Sequence, residues 1–471
     1  MQQLTPQDAV FLSMETNALP AHIGGLAFLN PSEGDGFSYD GFIDFIRERL
    51  GRCERFCWQL QEVPFGLDRP YWIRRDDFDP AEQVSRIAVP SPYSDELLSE
   101  LTGMLFERPL DRTRPLWEMV LIEGLPGGRV ALLWKIHHCL MDGASGANLS
   151  EQLFDTTPDA VRETPVELAD SARGGRRVPA ASLFDRALRN AVGLPARQRH
   201  YAGRAIKGLF RQLAAAPESP DAAQQKATAP AALFNGVVGR RRAVSWSTVS
   251  LDDVKRLKNA LSVTVNDVIL AITSGALRTY LGERNALPDE SLIAAVPVDM
   301  RASDDKAIGN QVSELPIRWS TDIEDPLERL LTIHQNASAV KAAAHDGESF
   351  DFIGMMSEAM LPGALTLLMR GAAAVADKVP LPGNAVVSNV RMTPFPLYCA
   401  GARIEKIVPV SMLAPTQGMN ITVVSYCGAL HFGIVHDPEL LPDPWELSGL
   451  MPKSLNVLQA ALDRKLAAEP V

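Results

Sequence analysis

Two short apolar runs, Trp117 to Gly124 and Arg129 to His138, flank Leu125-Pro126-Gly127-Gly128, and this arrangement commits the chain to a β-sheet. Proline and glycine in so short a break favour a tight reversal, so the runs read as adjacent antiparallel strands. In the second run alternate side chains point to opposite faces: Val130, Leu132, Trp134, Ile136 and His138 to one, Ala131, Leu133, Lys135 and His137 to the other. Helical patterns surround the pair, notably Asp95 to Met104 and Asn148 to Phe154.

One sheet does not account for 471 residues, because single cores rarely grow beyond about 250–300 residues. Ala214 to Pro230 is rich in Ala, Pro and Gln without a sustained hydrophobic period and reads as a linker. The expected organisation is a unit over 1–167, a basic crossover helix and linker over 168–239, and a second unit over 240–471. Strand-like runs recur in the last unit at 292–298, 385–390, 407–411, 420–426 and 430–435, and Ser250 precedes a helix with Val254, Leu257 and Leu261 inward. Mixed strands and helices in both halves predict an α/β (α+β) chain of two sandwiches. The most apolar stretch, Ala359 to Ala376, is interrupted by Pro362, Gly363 and Arg370. It reads as a buried or interfacial segment rather than a membrane span, either an ordinary core helix or a wall for an alkyl chain.

The formal charge of −11 argues against a nucleic-acid partner. Between Ser171 and Gln212, however, ten cations face the single anion Asp185, so this segment carries +9 and the remainder −20. Among its charges lie Leu183, Phe184, Leu188, Val192, Leu194, Ile206, Leu209 and Phe210. A basic amphipathic pattern suits an anionic lipid surface, and equally a solvated helix packed on the acidic remainder. Five cysteines without a C-x-x-C pair do not suggest a disulfide framework. The start Met1 to Asp8 lacks the positive, then apolar, character of a signal peptide. A cytoplasmic location is expected.

Chemistry concentrates in His137-His138-Cys139-Leu140-Met141-Asp142-Gly143. His138, at a strand end, suits a general base if its ring is held in place, and His137, facing the other way, suits support. Asp142, beside Gly143, is a positioning residue that locks the loop. Adjacent strand histidines point apart and no third ligand cluster lies nearby, so no metal is expected. Thr264-Val265-Asn266-Asp267 has the form of a helix start capped by Thr264, followed by an inward stripe of Val265, Val268, Ile269, Ile272 and Ala276. Trp117 reads as a core anchor. No Gly-x-Ser-x-Gly elbow is present.

His137-His138-x-x-x-Asp142-Gly143 resembles the H-H-x-x-x-D-G motif of the CoA-dependent acyltransferase superfamily. Its setting is similar to bacterial wax ester synthase/acyl-CoA:diacylglycerol acyltransferases. Further matching blocks are Leu4 to Leu12, Pro115-Leu116-Trp117-Glu118, Val265-Asn266-Asp267-Val268, Pro297 to Arg301 with Gly309-Asn310, Ser388-Asn389-Val390, Gly401-Ala402-Arg403 and Gly418 to Ile421. Two positions depart from the family pattern: Arg391-Met392-Thr393-Pro394 stands where Pro-Gly-Pro is common, and Asp299 where serine is usual. The resemblance implies two chloramphenicol-acetyltransferase-like sandwich domains with an active-site tunnel between them. It also implies transfer of a fatty acyl group from acyl-CoA, a substrate rather than a cofactor, to diacylglycerol or a long-chain alcohol. No separate cofactor is then needed. His138 becomes the base, and Asn266 and Asp267 shape the channel. Asn266 and Asn420 are candidate oxyanion donors. Peripheral contact with the inner face of the plasma membrane or with lipid inclusions, and a monomer or homodimer, complete the expectation. Two alternatives share the fold: a condensation-type acyltransferase with another donor or acceptor, and a catalytically inactive lipid-associated adaptor.

Overall fold

The computed structural model describes residues 1–31, 37–52, 54–75, 78–140, 153–159, 178–196, 198–200, 228–299, 312–346, 357–379, 381 and 383–468. In chain order the first half runs β1 (Gln2–Gln3), α1 (Pro6–Met14), β2 (His22–Asn30), α2 (Tyr39–Arg52), β3 (Trp58–Gln61), β4 (Tyr71–Arg74), β5 (Val84–Ala88), α3 (Asp95–Phe106), β6 (Trp117–Glu123) and β7 (Val130–His137). The crossover contributes α4 (Ala180–Val192). The second half adds β8 (Ala243–Ser250), α5 (Leu251–Leu261), α6 (Val265–Gly282), β9 (Ile293–Asp299), β10 (Val312–Arg318), α7 (Pro326–Asp346) and α8 (Pro362–Ala374). It closes with β11 (Ala385–Arg391), β12 (Tyr398–Cys399), β13 (Ala402–Val410), β14 (Met419–Tyr426), β15 (Ala429–His436) and α9 (Pro444–Ala468).

The expected hairpin is present: β6 and β7 pair antiparallel around the Pro126–Gly128 turn, with Trp117 opposite Ile136. It lies inside a six-stranded sheet of order β12-β13-β2-β7-β6-β5. The period-two alternation of β7 separates two cores. Val130, Leu132 and Ile136 join Ala27, Leu29, Trp117 and the apolar face of α2. Ala131 and Leu133 join Leu26, Phe28, Val120 and the inner face of α3. Each Val, Leu, Ile or Phe side chain among them, fully enclosed, contributes about 1.5–3 kcal/mol relative to exposure.

The second sheet has order β10-β9-β11-β14-β15-β8 and is covered by α5, α6, α7 and α9. Here α6 is buried beyond the stripe its sequence suggests, from Asp267 through Leu277, because neighbours enclose it on all sides.

Three expectations need amending. The two sheets do not follow the two chain halves: β13, from the 240–471 unit, pairs antiparallel with β2 of the 1–167 unit. The end of the 168–239 segment is not a free linker either. Phe234 is wholly buried in the second core, Asn235 Nδ2 donates to the Asn384 carbonyl at 2.8 Å, and Ala229 N–H donates to the Leu381 carbonyl at 3.0 Å. Finally, the 359–376 stretch is not a core helix, since only Leu365 of α8 is buried. Among the described residues no single helix is long and apolar enough to cross a membrane.

The lobes meet through an apolar layer in which Leu26, Phe28, Val408 and Val410 of the first sheet lie against Val244, Trp246 and Val435 of the second. Approach is close at Gly433, where a Cβ would sit 1.9 Å from the Pro409 carbonyl oxygen, so only glycine fits. Tyr426 spans the junction, its hydroxyl donating to the Ile404 carbonyl at 2.9 Å and accepting from Leu397 N–H at 2.8 Å.

Candidate active site

Strand β7 delivers the histidine pair. Its last residue, His137, lies opposite His22 of β2. The ladder register carries on one residue further, His138 N–H donating to the Ala21 carbonyl at 2.9 Å, before His138–Leu140 form one 3-10 turn. His138 faces Phe11, which packs on the core that holds Ile136, so it keeps to the Ile136 side as alternation predicts.

His137 is fully enclosed. Cys139 N–H donates to its Nδ1 at 3.1 Å, so Nδ1 is the unprotonated acceptor and the proton of the neutral ring sits on Nε2. That nitrogen faces Glu15 Oε1 at 3.5 Å, an electrostatic contact longer than a hydrogen bond. Glu15 caps the C-terminus of α1 and accepts from Arg112 Nε at 3.1 Å and Nη2 at 2.7 Å. Burial works to raise its carboxyl, but His137 and Arg112 outweigh burial and hold it down at about 2. Ala21 ties the pieces together: its N–H reaches Glu15 Oε1 at 3.4 Å, while its carbonyl takes His138 N–H.

His138 is part-exposed. Its ring stacks on Phe11 of α1, with centroids 3.9 Å apart and planes 15° from parallel. Its Nδ1 is buried without a hydrogen-bond partner among the described residues. Enclosure of the ring, helped by His137, pushes the imidazole down to about 4, so it is uncharged at neutral pH and free to accept a proton. A shallow crevice lined by Thr5, Asp8, Arg55, Trp58, Cys139 and Leu140 opens beside this turn. Burial raises the Cys139 thiol well above its ordinary range, which removes it as a nucleophile.

The other sequence candidates are spread more widely. Asp142 and Gly143 lie outside the described residues. Trp117 is fully buried, its Nε1 donating to the Phe56 carbonyl at 2.8 Å, an anchor between core and β3. Asp267 completes a reciprocal capping box with Thr264 and also binds His334 Nδ1 through Oδ2 at 2.7 Å. Asn266, beside it, is half-buried. Asn420 donates from Nδ2 to the Met412 carbonyl at 3.0 Å and accepts from the Thr422 hydroxyl at 2.9 Å. Those bonds brace a loop at the start of β14. Lys135 is buried and pins the end of α3, donating to the Leu105 carbonyl at 2.8 Å and pairing with Glu118 at 2.8 Å. Among the described residues no group of three or more His, Cys, Asp or Glu is placed to hold a metal.

Sequence reading missed Glu15, Arg112, Phe11 and His334. Phe11 and Glu15 sit in or just after the Leu4–Leu12 block, the one available signal, while Arg112 lies 97 residues from Glu15.

Comparison with known proteins decides the family. The wax ester synthase/diacylglycerol acyltransferase catalytic domain matches residues 4–269, and the C-terminal domain of the same proteins matches 308–459. The chain belongs to the wax ester synthase/diacylglycerol acyltransferase family. As a member it is an acyl-CoA-dependent O-acyltransferase. A Mycobacterium tuberculosis protein named "probable diacylglycerol O-acyltransferase" is 34% identical over 468 residues, covering 98% of this chain and 100% of its own. The wax ester synthase/diacylglycerol acyltransferase from Marinobacter aquaeolei VT8 is similar in structure, with a TM-score of 0.68 at 25% identity over 98% of this chain and 100% of that one. The first condensation domain of a calcium-dependent antibiotic synthetase shares the fold at TM-score 0.56 and 16% identity, covering 98% of this chain and 96% of its own. The family thus shares its two-lobed architecture with condensation domains.

Proposed function

We propose that this acyltransferase moves a fatty acyl group from coenzyme A to the hydroxyl of diacylglycerol, and also of a long-chain alcohol, with His138 as general base. A thioester is already activated, so the work left to the protein is to deprotonate the alcohol, hold both reactants and stabilise the oxyanion. His138 takes the hydroxyl proton as oxygen attacks the thioester carbonyl. The tetrahedral intermediate then expels the CoA thiolate, which recovers that proton from the imidazolium. The observation that carries this reading is the uncharged His138 ring, stacked on Phe11 with its Nδ1 unoccupied among the described residues and its backbone bonded to Ala21. His137 is a brace, its Nδ1 already occupied by Cys139 N–H. No cofactor enters the scheme. The segment 171–212, with its +9 charge, we read as contacting an anionic lipid surface where the acceptor resides.

Purified protein given palmitoyl-CoA with dioleoylglycerol, and separately with hexadecanol, is expected to yield triacylglycerol and wax ester with one free thiol per ester. His138→Ala is expected to lose about 10²–10⁴ of the rate with folding intact, and His137→Ala to lose less. Equal losses overturn the division of roles. Binding to lipid with no turnover by the native chain supports the adaptor instead.

A further inference from the structure

Three surface features that acyl transfer leaves unexplained lie side by side. The first is α8. Its outward arc carries Ala364, Leu367, Leu368, Gly371 and Ala374 with Arg370 as its lone charge. Leu367 is 74% exposed. A helix bathed in water places charged side chains on such an arc.

The second is α4. Leu183 and Ala187 pack inward against Val63 and Tyr71, yet Phe184, Leu188 and Val192, at spacing i, i+4, i+8, form a second apolar stripe facing out. The third is the turn between β3 and β4, where Phe65 is 88% exposed at a positive φ of 59°. A bulky residue rarely holds that left-handed conformation, and here it presents a bare ring to solvent.

The three are contiguous. Leu67 and Arg69 of the turn, Asn190 and Leu194 at the end of α4, and Met360 and Pro362 at the start of α8 line one crevice. Asn190 Nδ2 donates to Asp68 Oδ2 at 2.6 Å. Behind this face α8 packs on α1, whose Phe11 stacks on His138, so one helix separates the apolar surface from the proposed base.

We propose that Phe65, the outer stripe of α4 and the outer arc of α8 together form an insertion face that docks on an anionic bilayer, delivering the water-insoluble acceptor near His138. Charge complementarity selects this occupant. Arg186, Arg189 and Arg199 stand exposed on and just beyond α4, within a segment of +9 on a chain whose remainder is −20. Apolar side chains rimmed by arginines match acyl chains beneath anionic headgroups. The assignment rests on the reading that the enzyme works at a lipid surface, and names where it touches.

Flotation of the full chain with vesicles of equimolar phosphatidylcholine and phosphatidylglycerol, without acyl-CoA, tests it. Leu367→Glu with Leu368→Glu, Leu188→Ser with Val192→Ser, and Phe65→Asn, whose asparagine tolerates positive φ, all change exposed side chains. Each is expected to weaken vesicle binding by about tenfold or more, with thermal unfolding and turnover of detergent-dispersed acceptor unchanged. Variants that float like the native chain overturn this face while leaving lipid association standing. A native chain that fails to float overturns both. Equal flotation on pure phosphatidylcholine overturns the anionic partner, and a native dimer dissociated by the α8 variant assigns the face to a second copy.

Discussion

At the scale of single residues, the structure shifts the expected chemistry of His138. An ordinary imidazole changes charge near 6.5, but enclosure lowers this one to about 4. A base of that kind stays competent as pH falls from neutral, so kcat/KM is expected to hold down to about pH 5 and then drop along an acid limb near 4. A limb near 6.5 with the fold intact by circular dichroism would show that burial does not govern the ring. Glu15 gives an independent check. Its carboxyl is held down at about 2, well below the ordinary glutamate range. A depressed folded value means that stabilisation is present above the ordinary value and disappears as pH falls toward 2. Glu15→Gln is expected to cost about 1–3 kcal/mol at neutral pH, with the gap to native protein closing in acid titrations of unfolding. Nothing near Glu15 in sequence signals Arg112, because their meeting depends on how α1 and the β5–β6 connection are laid together.

At the scale of elements, the start of α6 was readable in advance: Thr264 and Asp267 stand at capping-box spacing, and both bonds form. What the spacing does not show is the second duty of Asp267, which holds His334 from α7. Thr264→Ala is expected to cost about 1 kcal/mol, and Asp267→Ala more, since it leaves a backbone N–H and His334 without their acceptor; chemical denaturation of the two variants compares them directly. Strand β7 was likewise readable. By contrast β2 is hard to recognise because Gly24-Gly25 interrupts its apolar run and glycine disfavours strands. Only the paired structure shows why glycine is there: a Cβ on Gly25 would lie 2.4 Å from the Trp134 ring. Apolar content left α8 as either a core helix or an interfacial one, because composition does not fix which elements pack on it.

For the whole molecule, the need for more than one core follows from length, but the interlocking of the two sheets does not. The second half lends β13 to the first sheet, and Tyr426 of β14 reaches back to Leu397 and Ile404. Tyr426→Phe keeps the ring but strands a buried N–H and carbonyl at the junction. It is expected to destabilise the fold by about 1–3 kcal/mol, read from the denaturant midpoint, and to lower turnover through altered lobe packing.

Local patterning alone determined the hairpin carrying the histidines, the capped entry of α6, the segregation of positive charge into one segment, and the motif that points to acyl transfer. These depend on periodicity and on residues a few positions apart, where backbone geometry dictates which side chains meet. The brace of Glu15 and Arg112 behind His137, the Phe11 ring lying on His138, the exchanged strand and the bare apolar face of α8 were decided only by the tertiary structure. Each joins segments far apart along the chain or depends on which of the described elements pack together, and such meetings are set by the packing of whole elements rather than by local residue spacing.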